Sequence, residues 1–251
     1  MPNVIILGSS NAVPSKDHEN THLVIVGKTR TILVDCVSNP IVRLEQAGVD
    51  FNDLTDIVIT HFHPDHVSGI PLLLMDMWLM GRTKPLNIYG LHYTLDRVEE
   101  LMGFYGWAEW PHFFSVGFFR LPESEMAFVM DCDEFKVHSS PVHHMIPTIG
   151  LRVECKDTGK VLAYSCDTEP CEQTVNLAEG ADILIHEAGG ATFGHSSAEQ
   201  AGAIATKAEV GKLYLIHYPT GRFAKGDLAA DAGKTYKGEI IVATDFMTIE
   251  I

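Results

Sequence analysis

Ile57-Val58-Ile59-Thr60-His61-Phe62-His63-Pro64-Asp65-His66 is the stretch whose reading decides the rest. Three β-branched apolar residues predict a short buried strand, placed at Asp56–Thr60. That strand runs directly into four ligand-type side chains within six residues. Loops at strand ends are where functional groups sit. In extended backbone His61 and His63 point to the same side, and Pro64 bends the chain so that Asp65 and His66 face a second point. Imidazole suits zinc, and a carboxylate suits zinc or another divalent cation. A solvated loop has no use for near-neutral ligands at this density.

Six residues cannot close two metal sites, so further ligands must arrive from other strand ends. Three places fit. His143-His144 follows a strand ending near Ser139, Asp167 follows a strand at Val161–Ser165, and His217 follows a strand at Leu213–Ile216. The remaining scattered histidines, His18, His22, His92, His112 and His138, read as surface or satisfied core residues.

Around these points the chain alternates strands and helices. Strands are expected at Val4–Leu7, His22–Val26, Thr31–Val34, Leu86–Tyr89, Phe135–Ser139, Gly150–Cys155, Asp182–His186 and Ile240–Ala243. Helices are expected after Asn39-Pro40, over Ile70–Met80, Thr94–Met102 and Asp227–Lys234, after Pro170, and from the capping sequence Ser196-Ser197-Ala198-Glu199-Gln200 to about Glu209. This is an α/β pattern. The early hairpin at Gly27–Arg30 and the strand cluster at 135–165 exclude a purely parallel sheet. No linker or low-complexity tract divides the chain. The expectation is a single domain over 1–251 built from two similar halves, with the boundary near 120–130.

Apolar residues make up 46% and charged residues 20%, ordinary for a globular chain able to bury its own core. The net charge of −15 excludes a basic nucleic-acid coat or a polybasic membrane helix as the global design. The five cysteines, Cys36, Cys132, Cys155, Cys166 and Cys171, are odd in number and show no zinc-knuckle or disulfide spacing. They read as reduced thiols of a cytoplasmic protein. The N-terminal run from Met1 to Gly8 lacks a basic stretch, and no segment is long and apolar enough to span a membrane.

With these motifs in view the chain resembles the metallo-β-lactamase superfamily, and within it the ribonuclease Z group in a short form lacking the tRNA-binding arm. The likeness rests on Leu7-Gly8-Ser9-Ser10 with Pro14, Val34-Asp35-Cys36, Thr60 to His66, Gly69, and His144 before Gly150. It continues through Tyr164-Ser165-Cys166-Asp167-Thr168, Ile185-His186-Glu187-Ala188, His195-Ser196-Ser197-Ala198 and Leu215-Ile216-His217. The resemblance implies a four-layer αβ/βα sandwich with two divalent metal ions at one edge, zinc first, manganese or iron next. His61, His63 and His144 would hold one ion, and Asp65, His66 and His217 the other, with Asp167 between them. It implies a phosphodiesterase using a metal-bridging hydroxide, with Asp65 orienting the nucleophile, His195 as general acid and Glu187 orienting His195. The resembled oxygen-reducing di-iron proteins favour Glu where His63 stands, so redox chemistry is not expected. Small-molecule phosphodiester, lactone or thioester hydrolysis on the same site, or a non-catalytic metal-binding module, are the competing readings.

Two departures bear on the substrate. His144 and Asp167 lie only 23 positions apart, where the resembled enzymes commonly carry a protruding basic arm that grips tRNA. Cys166 stands where the family usually has glycine. Long RNA needs a row of Lys and Arg to release counterions, and no such row is present. The expected partner is therefore a phosphodiester, either a small molecule or an RNA 3′ end, with no membrane. Residues 104–119 hold eight of the chain's 22 aromatic side chains, too dense for an ordinary loop. They read as a satellite core, a lid on the metal edge, or the contact of a homodimer.

Overall fold

Alternation along the strands sends successive side chains to two different cores. The structure is a computed structural model that describes residues 2–251; Met1 of the N-terminal run lies outside them. The first half contributes β1 (Asn3–Gly8), β2 (His22–Val26), β3 (Thr31–Val34), β4 (Asp56–Val58), β5 (Leu86–Leu91) and β6 (Val116–Leu121). The second contributes β7 (Ala127–Asp131), β8 (Phe135–Val142), β9 (Thr148–Cys155), β10 (Val161–Tyr164), β11 (Ile183–Glu187), β12 (Lys212–Ile216) and β13 (Glu239–Val242), and β14 (Thr248–Glu250) closes the chain. Two seven-stranded sheets result, ordered β14-β1-β2-β3-β4-β5-β6 and β13-β12-β11-β10-β9-β8-β7. Each is antiparallel at one end and parallel at the other.

Ile32 and Val34 of β3 face the same inter-sheet core as Ile183 and Ile185 of β11. Their neighbours Leu33 and Leu184 face outward, each into a separate helix-covered core. On the first sheet that cover is α1 (Pro40–Gln46), α3 (Ile70–Leu79) and α4 (His92–Phe104), with α2 (Pro64–Val67) a single turn at the edge. On the second sheet it is α5 (Glu172–Ala178), α6 (Ala198–Lys207) and α7 (Leu228–Ala232). Burial on both faces explains why these strands are continuously apolar in sequence. The αβ/βα sandwich expected from the sequence is the one found. No helix among the described residues is long and apolar enough to cross a membrane.

Local signals account for the boundaries. Asn39 accepts the Val42 N–H and Pro40 opens α1. Ser197 and Gln200 form a reciprocal capping box at the start of α6. Three strands, β6, β7 and β14, were not anticipated. β6 is a half-exposed edge strand inside the aromatic segment, so its alternation is masked, and β14 spans only three residues. The strand expected over Asp56–Thr60 ends at Val58, because Thr60 turns to donate to Asp35.

The aromatic segment is mostly the satellite core. Trp110 stacks on Trp78 with centroids 4.9 Å apart, and Phe113 packs against Trp107, Trp110 and Phe114. Phe104 and Tyr105 stay exposed.

His22 opens β2 fully buried, its Nδ1 2.8 Å from the Asn20 carbonyl and its Nε2 without a partner among the described residues. Burial pushes its pKa down from 6.5 to about 4, with the Asn20 carbonyl opposing. The folded state therefore holds His22 neutral while the unfolded state takes up a proton below 6.5. Stability from this group is complete above that value and is lost as pH falls toward 4, by up to about 3 kcal/mol. Urea unfolding of wild type and His22→Gln should diverge over that window, the variant losing less on acidification. Parallel losses would contradict it.

Candidate metal centre

Three corners after strand ends turn the chain into one place. Asp35 follows β3 with φ 62°, Cys166 follows β10 with φ 54°, and His217 comes directly after β12 with φ 53°. Left-handed backbone at a non-glycine residue costs of order 1–3 kcal/mol and concentrates at functional sites. Cys166 thus takes the conformation that a glycine there would take freely.

Two groups of donors face each other. His61 Nε2 and His144 Nε2 each lie 3.1 Å from His63 Nδ1. Asp65 Oδ2 lies 3.6 Å from both His66 Nε2 and His217 Nε2. Asp167 Oδ2 stands between them, 4.0 and 3.9 Å from the nitrogens of His61 and His144, and 3.5 and 3.3 Å from those of His66 and His217. Tetrahedral zinc bonds separate ligand atoms by about 3.3 Å, so these spacings suit convergence on cations. His66 Nε2, His217 Nε2 and Asp167 Oδ1 are buried with no hydrogen-bond partner among the described residues. A polar group tolerates that only when something else fills the role. The donor set, imidazoles and carboxylates, fits divalent metal ions.

Electrostatics point the same way. Burial lowers the pKa values of His61, His63 and His144, keeping them as neutral imidazoles, the ligand form. Burial would raise Asp167, but His217 and His66 hold its carboxyl well below the usual range. His66 is raised, because the Asp167 and Asp35 carboxylates outweigh its burial.

A supporting layer fixes the rings. Asp35 Oδ2 lies 2.7 Å from His66 Nδ1, and Asp35 accepts the Thr60 N–H and hydroxyl, each at 2.9 Å. The Thr60 hydroxyl also lies 3.1 Å from His61 Nδ1. His144 Nδ1 is 2.7 Å from the Gly194 carbonyl. Glu187, fully buried, accepts the N–H groups of Thr168, Ser196 and Gly189, and its Oε1 is 3.0 Å from His195 Nδ1. The His195 ring stacks on His217, with centroids 5.4 Å apart. Its pKa is raised, since the Glu187 carboxylate overcomes burial.

His61, His63, Asp65, His66, His144, Asp167, His217, Glu187 and His195 thus lie in one cluster. His143 does not: it is exposed, and among the described residues only its backbone is hydrogen-bonded. Two contributors were missed. Asp35 enters the sequence reading only through the family resemblance; its signal is a polar residue directly after a strand. Glu169 had no signal. Its Oε1 accepts the Gly194 N–H at 2.8 Å, while the Gly194 carbonyl holds His144. A Cβ at Gly194 would lie 2.9 Å from His144 Nδ1, so the backbone must approach this closely. Glu169→Ala should weaken metal retention by about 10–100-fold, the range for lost outer partners. Glu169→Gln, which keeps the acceptor oxygen, should restore most of it. Competition with a chelator measures both, and wild-type retention in Glu169→Ala would remove the role.

The family model described as Anti-Pycsar protein Apyc1 matches residues 2–234. The curated ribonuclease Z of Methanothermobacter thermautotrophicus is 29% identical over 311 residues, covering 100% of this chain and 97% of that protein. Human tRNase Z, short form, superposes with a TM-score of 0.80 at 25% identity, covering 99% of each chain. The metallo-β-lactamase fold protein YhfI from Bacillus subtilis superposes with a TM-score of 0.83 at 22% identity, covering 98% of each.

Proposed function

The chain belongs to the family described as Anti-Pycsar protein Apyc1, and on that premise we propose that it is a dinuclear-metal hydrolase of low-mass phosphodiesters. The observation that carries the chemistry is Asp167 Oδ2 set between two groups of imidazole nitrogens at 3.3–4.0 Å. The observation that favours a small substrate is the segment from His144 to Asp167. It holds β9, β10 and the turn around Gly159, with no arm, on a chain of net charge −15.

In this reading His61, His63 and His144 would hold one cation, Asp65, His66 and His217 a second, with Asp167 serving both. Zinc is the first candidate on the donor set, with manganese or iron next. The chemistry such a pair of cations would supply when bound is an ionised water at neutral pH and an offset to charge on the phosphoryl oxygens. Asp65 orients the attacking oxygen. His195 hands a proton to the leaving oxygen. With Nδ1 directed at Glu187, its transferable proton sits on Nε2. Glu187 keeps the ring oriented and favours the protonated form. All five cysteines are free, which supports a reducing, cytoplasmic setting. A homodimer through segment 104–119 belongs to the same reading, supported by the exposed Phe104 and Tyr105.

A second reading, trimming of an RNA 3′ end, is favoured by the relatives named ribonuclease Z. A panel separates them: a cyclic mononucleotide, bis-p-nitrophenyl phosphate, a lactone and a pre-tRNA transcript, each with zinc and with manganese. Turnover of the first two without the transcript is expected. Efficient transcript cleavage would establish the second reading, and turnover of the lactone alone would overturn both. His195→Ala should lower kcat by about 10²–10⁴-fold on the cyclic nucleotide, whose leaving alkoxide needs a proton, and far less on a p-nitrophenyl ester. Equal losses on both would remove His195 as the acid.

A further inference from the structure

Cys166 combines a strained backbone with a side chain that has no part in the chemistry above. Its φ of 54° lies in the left-handed region, which a glycine would occupy freely. The residue is fully buried, and its thiol ends against one ring: Cys166 Sγ lies 3.6 Å from His61 Nδ1. The Thr60 hydroxyl reaches the same nitrogen at 3.1 Å. The other ring nitrogen, His61 Nε2, faces His63 Nδ1 at 3.1 Å and Asp167 Oδ2 at 4.0 Å. One nitrogen of His61 thus looks toward the other donors, and the opposite one toward Thr60 and Cys166.

Counting protons fixes the tautomer. The Asp35 carboxylate accepts the Thr60 N–H, and its other oxygen faces His66 Nδ1 at 2.7 Å. It therefore also receives the Thr60 hydroxyl proton, at 2.9 Å from both oxygens. With that proton directed at Asp35, Thr60 Oγ1 can only accept from His61. His61 Nδ1 then carries the ring proton and Nε2 is bare, the form that binds a cation. Two acceptors share the Nδ1–H, the hydroxyl oxygen and the more weakly accepting sulfur. Without the sulfur the ring is held from one side only. The competing arrangement is direct ligation, since Cys166, His61 and His66 also form a possible donor group. The 3.6 Å contact runs to Nδ1, however, the nitrogen turned away from His63 and Asp167, which sets the sulfur behind the ring.

We propose that Cys166 is a positioning residue of the metal centre: its sulfur, together with the Thr60 hydroxyl, holds His61 in the Nδ1–H tautomer and aims Nε2 at the cation. The assignment rests on the two-cation reading above. Cadmium NMR of the cadmium-loaded protein separates the two positions, and competition with a chelator measures how firmly each is held. Cys166→Ala keeps the left-handed corner and removes only the sulfur; Cys166→Gly relaxes the corner as well. Each should weaken the cation at His61 by about tenfold, the lower end of the range for lost outer partners, with the second cation changed less. Cys166→Ser returns an acceptor and should regain most of the loss. A corner with only a structural role predicts instead that retention follows melting temperature, with the glycine variant above the alanine one. Unchanged retention in both, retention that follows melting temperature, or no rescue by serine would overturn the proposal. So would a wild-type cadmium signal carrying the strong downfield shift of a bound thiolate, which would make Cys166 a ligand. Proton–nitrogen NMR of labelled histidine gives a readout that needs no ion: wild type should carry the His61 proton on Nδ1, and Cys166→Ala should move a larger share to Nε2. If wild type binds no cadmium, the two-cation reading fails on its own and this comparison still decides Cys166. The same tautomer balance in both proteins, or an Nε2–H ring in wild type, ends the proposal.

Discussion

A buried carboxylate surrounded by imidazoles is the constraint on which the rest of the structure depends. Asp167 is 2% exposed, and its Oδ2 lies within 4.0 Å of four histidine nitrogens. Asp35, fully buried, and Asp65, largely buried, stand in the same place. Removing carboxylates from water costs several kcal/mol per ion unless opposite charge accompanies them. Arg and Lys do not supply it: no Arg or Lys ion pair to any of these three is found among the described residues. The opposite charge must come from protonated histidines or from cations, and burial holds His61, His63 and His144 neutral.

The sandwich exists, in functional terms, to hold that unfavourable collection in register. β3, β4, β10, β11 and β12 end at one edge, and each end delivers a polar residue: Asp35, the His61 loop, Asp167, Glu187 and His217. Left-handed corners at Asp35, Cys166 and His217 aim three of these inward. Rigid strands buried on both faces absorb the strain. The loop from Gly189 to Ser196 is tied from below by Glu187 and from the side by Glu169, so His195 and His144 are positioned by the same segment.

Much of this was legible in the sequence because the signals were local. The apolar run before His61 named its strand, Asn39-Pro40 and the Ser197–Gln200 box named their helix starts, and lone ligand residues after strands named the centre. What stayed hidden was set by tertiary contact. β14 is a three-residue strand defined only by its pairing with β1. Glu169 matters through one backbone N–H of Gly194, and Asp35 through its reach to His66 across 31 positions of sequence.

The central claim is that two cations replace the missing partners of these side chains. Anomalous diffraction from a crystal of metal-replete protein tests it most directly. The account predicts two peaks about 3.5–4 Å apart, one among His61, His63 and His144, the other among Asp65, His66 and His217, with Asp167 touching both. A single peak, or peaks away from Asp167, would contradict it.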